Sequence, residues 1–509
     1  MAHRAVTIIG QLPSIASAVL VLVITLGATV VVALHADIGR GLSAADWSAI
    51  RFTISQAIVS AILSVGIAIP VSRALARRQF FGRDLLITLL GAPFLLPVIV
   101  AIIGLLAVFG RSGILNALLD LLGLESVSIY GFHGVVLAHV FFNLPLATRL
   151  LLQGWLSVPA ERFRLAATLN VPVGQMIERP MLRQTVPGAL LVVFLICLTS
   201  FAVALTLGGG PKATTVELAI YQALRFDFDL GRAALLACIQ FLICAVAALI
   251  AWRVTLPDQF GAGLDRVVQR WDANSSMDYV WLVGTALFLL VPLAMIVVKG
   301  AAGLPDLPAQ IWPAALRSVA VAIAAAVLSV TMAVALAQRG GGVIAAIGML
   351  PLAASSLVIG TGLFLLVYPF IAPSSLALPI TTLVNAIFAL PFVLRIVTPA
   401  IETAQTRYGR LADSLGLQGW SRMRLVVLPR IRPQIGFAAG LAAALAMGDL
   451  GVIALFAGEA EATLPLVMYR LMGAYRMEQA AGAALLLVTI SFALFWICDY
   501  LGRRNVETE

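Results

Sequence analysis

Ionisable and strongly polar side chains stand out in this chain because they interrupt long apolar stretches, where each is costly unless it meets water, a donor or a partner. Asp449, in Ala446-Met447-Gly448-Asp449-Leu450-Gly451, is the clearest case. Its carboxylate can attract a cation or act as a hydrogen-bonded strut between helices. His139 and Asn143 are four residues apart and share one helix face, which suits either a polar pathway lining or helix-to-helix hydrogen bonds. Glu217 and Tyr221 repeat that spacing and can meet an arriving cation or a docking protein, or form a solvated face. The run Gly208-Gly209-Gly210-Pro211 permits a bend or close packing, as in a gate or hinge. It is no phosphate cradle: a P-loop needs Lys followed by Ser or Thr, and the two lysines, Lys212 and Lys299, precede Ala and Gly. Cys197, Cys238, Cys244 and Cys498 lie within or at the edge of apolar spans with no CxxC, so neither a metal site nor a disulfide framework is expected. No catalytic residue and no resident cofactor are expected either.

The elements that must position these residues are membrane spans. Hydrophobic residues make up 61% of the 509 and charged residues 11%, with a mean hydropathy of +1.04. Charge-free runs such as 85–110, 126–148, 184–211, 233–252 and 279–298 each suit a helix crossing about 30 Å of hydrocarbon. The longer run 340–394 is divided by Pro369, Pro373, Ser374 and Ser375 into two spans. Helices are expected near 13–35, 53–73, 85–110, 131–155, 185–207, 233–253, 279–298, 317–338, 344–368, 376–398, 433–457 and 479–501. Continuous apolar runs exclude a barrel, whose strands alternate. The fold class is an all-α polytopic membrane protein with about twelve transmembrane helices in two parallel six-helix repeats. With the N-terminus inside, inward segments hold 23 of the 33 Lys and Arg, the positive-inside bias. Both termini are then cytoplasmic. The net charge of +9 reads as a topology signal, not nucleic-acid binding.

The repeat is carried by a polar loop that occurs twice. Arg164-Leu165-Ala166-Ala167-Thr168-Leu169-Asn170 is matched 246 residues later by Arg410-Leu411-Ala412-Asp413-Ser414-Leu415-Gly416, and Pro145 and Arg149 by Pro391 and Arg395. Leu63-Ser64-Val65 with Ala74-Leu75-Ala76 is likewise echoed by Leu328-Ser329-Val330 with Ala335-Leu336-Ala337. The halves are drawn at 1–254 and 278–509, with a linker at 255–277 and cytoplasmic loops at 157–183 and 402–432. In the second loop, helix is expected over Glu402–Leu415, a left-handed stop at Gly416, and a short helix from Trp420 ending at Leu428-Pro429. A helix-Gly-helix elbow of this kind is a rigid knob for a partner. Aligning Leu450-Gly451-Val452 with Phe201-Ala202-Val203 puts Ser200 in the place that Asp449 holds in the second half.

These loops resemble the signature of bacterial ABC importer permeases: Glu-Ala-Ala, three residues, Gly, nine residues, then Ile-x-Leu-Pro. Arg410-Leu411-Ala412, Gly416 and Val426-Val427-Leu428-Pro429 keep the spacing, with Arg in place of Glu. Arg164-Leu165-Ala166 and Asn170 follow it until Arg179-Pro180, which arrives about three residues early; Asn still supports the left-handed elbow. Leu137-Ala138-His139-Val140-Phe141-Phe142-Asn143-Leu144-Pro145 and Leu207-Gly208-Gly209-Gly210-Pro211 through Leu224 resemble the fused double permease of thiamine and thiamine pyrophosphate importers, with the methionine-importer-type permease fold. The resemblance implies two ATP-binding-cassette ATPase subunits inside, which bind the ATP and Mg, and a periplasmic binding protein outside. ATP binding would draw the elbows together and turn the spans outward. Thiamine's cationic thiazolium could stack on Tyr221 or Tyr469. Two alternatives remain: the same architecture serving ferric iron, and an ion-coupled secondary carrier.

Overall fold

The computed structural model describes residues 12–91, 96–208, 210, 213–252, 276–338 and 342–504, which form helices and connecting turns without a strand among them. Among the described residues, eleven helices are long and apolar enough to cross a membrane, one fewer than the twelve expected, because Ser356–Val367 is too short. The linker at 255–277 falls almost wholly outside the described residues, as does Gly209.

The third span of each half departs from the continuous helix expected. In place of 85–110 stand Arg83–Leu89 and Val98–Phe109, and in place of 344–368 stand Gly342–Met349, a tight turn at Leu350–Ala353, and Ser356–Val367. Pro97 and Pro351 explain the breaks, since proline lacks the N–H and its ring crowds the preceding turn. The fifth spans are also interrupted: Arg179–Leu198 gives way to Phe201–Leu207, and Arg432–Met447 to Gly451–Phe456. Conversely, Ala377–Ser414 runs as one 38-residue helix through Pro391 and Pro399, joining a span to its loop.

The chain divides into two compact units that cut across the sequence halves. One comprises Leu42–Ala219 and Leu242–Ala302. Here Ala44–Arg77 packs on Phe132–Leu156 and Arg179–Leu198. Ala57, Ala61, Val65 and Ala68 form a stripe that meets Leu144, Ala147, Leu151 and Val193, and such small residues let helix backbones approach closely. Met277–Gly303 is pinned in this unit. Arg77 Nε donates to Asp278 Oδ2 at 2.8 Å and Arg78 Nε to the same oxygen at 2.9 Å, while the ring of Phe288 meets Phe141 edge-on at 5.7 Å.

The other unit comprises Met1–Gly41, Ile220–Phe241 and Gly303–Glu509. Ile311–Ala337, Ala377–Ser414, Arg432–Met447 and Met477–Arg503 form its centre. Leu12–His35 lies against Ser356–Val367, where any Cβ at Gly362 would collide with the Ala28 backbone. The first helix of each half is thus packed chiefly among helices of the other half.

Candidate functional site

The two elbows share one backbone. Ala160–Thr168 and Ala377–Ser414 end at left-handed residues, Asn170 with φ 49° and Gly416 with φ 68°. Val171 N–H donates to the Ala166 carbonyl and Leu417 N–H to that of Ala412, each at 2.9 Å, the six-residue closure of a Schellman cap. A Cβ at position 416 would meet open space, so glycine is selected by φ alone. Ala166 and Ala412 are buried beneath the turn, and Arg164 and Arg410 are exposed beside it. Leu165 and Leu169 in one elbow, and Leu411 and Leu415 in the other, are each more than half exposed at helical spacing. Leu169 and Leu415 escaped the sequence reading, although their four-residue spacing from Leu165 and Leu411 was the available signal.

Beyond the elbows the copies diverge. The second inserts a turn, Gly419–Arg422, which the first lacks, and this accounts for the early arrival of Arg179-Pro180. Both then form a π turn, Gly174–Glu178 and Met423–Val427. The short helix expected to end at Pro429 does not end there. Pro180 and Pro429 occupy the first turns of Arg179–Leu198 and Leu428–Arg430. Each ring would crowd the carbonyl four residues back, Met176 or Leu425, and the widened π turn contains that residue. Leu428 and Pro429 are half-buried.

Different contacts brace the two loops. Arg422 Nη1 donates to Asp413 Oδ1 at 3.2 Å, and Arg430 lies 3.6 Å above the Tyr408 ring. The first loop relies on Arg73 Nη2, 3.0 Å from Glu178 Oε1, beside an open groove of about 520 Å³ flanked by Arg179 and Arg183.

Ser200 and Asp449 both lie in the breaks of the fifth spans. Asp449 is half-buried; its Oδ1 accepts the Gly451 N–H at 3.1 Å, and among the described residues its buried Oδ2 meets no hydrogen-bond partner. Ser200 precedes Phe201–Leu207 without a side-chain cap. The carbonyls freed by each break are met by side-chain amides: Gln56 Nε2 donates to Cys197 O at 2.9 Å, and Asn385 Nδ2 to Ala446 O at 3.5 Å. Broken backbone at membrane depth requires such partners. Gln56 and Asn385 were invisible in sequence because single amides in apolar runs carry no motif.

His139 and Asn143 are buried within the bundle. His139 Nδ1 lies 3.4 Å from Ser60 Oγ, and Asn143 donates to the His139 carbonyl at 2.9 Å and to Cys197 Sγ at 3.4 Å. Glu217 and Tyr221 do not form a solvated face, since both are buried. Val216–Arg225 is drawn inward where Val216 N–H donates to Thr53 Oγ1 at 2.9 Å, and Leu464–Gly473 is held identically by Leu464 N–H on Ser318 Oγ at 2.8 Å. These short helices bring Tyr221 near Tyr469. Burial raises both phenols above the usual range, with Arg225 and Arg470 opposing it at Tyr221, and Tyr221 adding to it at Tyr469. A Cβ at Gly208 would strike the Ala204 and Ala213 carbonyls, and Gly210 has φ 130°.

Twin exposed elbows stand beside the interrupted spans of a multi-pass membrane protein. Residues 325–506 match the family of binding-protein-dependent transport system inner membrane components. The chain is 38% identical to the thiamine transport system permease protein ThiP of Salmonella typhimurium, covering 98% of each chain. It is 40% identical to the same-named protein of Escherichia coli, over 91% of this chain and 90% of that one, and 38% identical to that of Brucella abortus, over 94% and 93%. The chain belongs to the family of these thiamine transport system permeases, multi-pass proteins of the inner membrane.

Proposed function

We propose that this chain carries thiamine or thiamine pyrophosphate across the inner membrane as the permease subunit of an ATP-driven importer. The full-length similarity to thiamine permeases carries the substrate reading. The paired elbows at Asn170 and Gly416 support the driving mechanism. Two ATPase subunits engage the exposed leucines of the elbows and bind the ATP and Mg; the permease makes and breaks no covalent bond and has no cofactor of its own. A binding protein delivers substrate to the opposite face. Arginine bias supports cytoplasmic elbows and cytoplasmic termini.

Each elbow acts as a lever. The second is continuous with a span through Ala377–Ser414, so a push on Leu411 and Leu415 travels along one helix. The first is separated from Phe132–Leu156 by Ser157–Pro159 and follows through a joint. Along the pathway, Asp449 supplies negative charge where a fixed cation must pass, and the phenols of Tyr221 and Tyr469 offer uncharged aromatic faces. Gly208 and Gly210 supply the freedom for a bend at the outer end of the fifth span.

Cells lacking both thiamine synthesis and their own importer should regain growth on low external thiamine when given this chain with its partners. Growth must be lost when the ATPase is inactivated. Restored ferric iron uptake without thiamine uptake would overturn the substrate reading, and uptake that persists without the ATPase would favour an ion-coupled carrier.

A further inference from the structure

Three arginines converge on one short loop. Residues 457–462 follow Gly451–Phe456, and Arg225 Nη2 donates to the Ala457 carbonyl at 2.9 Å, Arg470 Nη2 to that of Gly458 at 3.0 Å, and Arg317 Nη1 to that of Ala462 at 2.6 Å. One span, Arg432–Phe456, separates this loop from the second elbow, so it lies on the face opposite the elbows. Arg225 and Arg470 also both act electrostatically on Tyr221, which stands near Tyr469. All of these residues belong to one compact unit.

Holding the loop does not require this much charge. Where the breaks of the fifth spans free carbonyls, the neutral amides of Gln56 and Asn385 meet them. Here guanidinium groups do so, and among the described residues none of the three pairs with a carboxylate. Glu461, in the same loop, is turned back to accept the Gly458 N–H at 3.1 Å. Each carbonyl occupies one nitrogen of a group that carries five N–H donors. The other donors of Arg225, which is exposed, and of Arg470, which is half-buried, can meet a ligand. Two like charges gathered at one phenol repel each other until an anion joins them, and the planar guanidinium fork matches phosphate oxygens in geometry as well as charge.

The spacing to Asp449 is a second, independent match. Asp449 stands just before Gly451–Phe456, and Arg225 and Arg470 bond just after it. At the usual helical rise that helix puts roughly 9 Å between the negative and the positive end. A cationic ring joined to a diphosphate by a two-carbon arm carries the complementary charges at a comparable separation. Thiamine, which ends in a hydroxyl, has only the cationic end.

We propose that Arg225 and Arg470, beside Tyr221 and Tyr469, form a diphosphate-reading site, so that the permease itself favours thiamine pyrophosphate over thiamine. The inference rests on the importer reading above and makes these two arginines specificity determinants of its pathway.

The test uses the full complex of permease, ATPase and binding protein in liposomes, with uptake of radiolabelled thiamine and thiamine pyrophosphate measured side by side at saturating binding protein. Arg225→Gln and Arg470→Gln keep an amide N–H for the carbonyl and remove the charge. Each should lower the ratio of thiamine pyrophosphate to thiamine uptake about tenfold, and the double variant further. Arg470→Lys should keep most of the ratio, and Arg317→Gln, which loosens the other end of the loop, should leave it unchanged. A ratio that both glutamine variants leave unchanged overturns the proposal. So does an equal fall in both uptakes with a lower melting temperature, which would make the arginines straps for the loop. Uptake of thiamine alone by the unaltered complex overturns this proposal and leaves the importer reading standing, whereas uptake of neither overturns both.

Discussion

The guanidinium of Arg422 occupies a notch that Gly409 leaves open: a Cβ at position 409 would stand 2.7 Å from Arg422 Nη2. From there Arg422 reaches Asp413 and holds the inserted turn Gly419–Arg422 against the end of Ala377–Ser414. Gly409→Val should displace Arg422 and loosen the second elbow. Transport by the assembled complex should fall several-fold while insertion and basal ATPase activity persist. Equal transport by a stably inserted Gly409→Val protein would show that the notch is incidental.

The elbows make a second prediction. Gly416→Val places a β-branched residue at positive φ, costing roughly 1–2 kcal/mol, a factor of about 5–30 in the population of the correct turn. Transport and stimulated ATPase activity should drop together. Asn170→Gly should be tolerated and Asn170→Val should not. Similar uptake rates for both substitutions at 170 would remove the left-handed turn from the mechanism.

Asp278 offers a test of stability. It and its partner Arg77 are both over nine-tenths buried, and Arg78 completes the cluster. Removing one side of a buried pair typically costs about 3–5 kcal/mol, whereas replacing both with apolar groups costs far less. Asp278→Ala should lower the melting temperature of the detergent-solubilised protein clearly, and Arg77→Met with Asp278→Leu should restore most of it. A single substitution with no thermal effect would mean that the pair is solvated in the membrane.

At Asp449, charge and shape are separated by substitution. Asp449→Asn keeps a hydrogen-bond acceptor for Gly451 N–H but removes the charge. Loss of a carboxylate-cation attraction of roughly 4 kcal/mol at an effective dielectric near 20 should slow thiamine uptake at least tenfold. If Asp449→Asn transports at the original rate while Asp449→Leu fails to assemble, Asp449 is a strut and its electrostatic role is wrong.

Fold class and the left-handed elbows were legible because each leaves a local mark, charge-free length for the one and Gly or Asn at fixed spacing for the other; of the twelve spans expected, eleven among the described residues are long enough to cross, because the run 344–368 is broken into shorter pieces. The breaks were less legible. Pro97 and Pro351 were visible, but proline alone does not announce whether a span will kink, break or continue, and Ala377–Ser414 continues through two of them. The broken fifth spans carry no proline at Ser200 or Asp449; their interruption depends on Gln56 and Asn385 arriving from distant helices. The burial of Glu217 likewise follows from a tertiary bond at Thr53, which helical spacing cannot report.

The exchange of first helices has a consequence for biosynthesis. Leu12–His35 emerges from the ribosome first, yet the surface it packs on, Ser356–Val367, is made only after the linker and two further spans, Met277–Gly303 and Ile311–Ala337. At about 5–20 residues per second the opening helix waits some tens of seconds in the bilayer without its partner. Joining both halves in one polypeptide guarantees that this partner arrives, in the same membrane patch and in equal number.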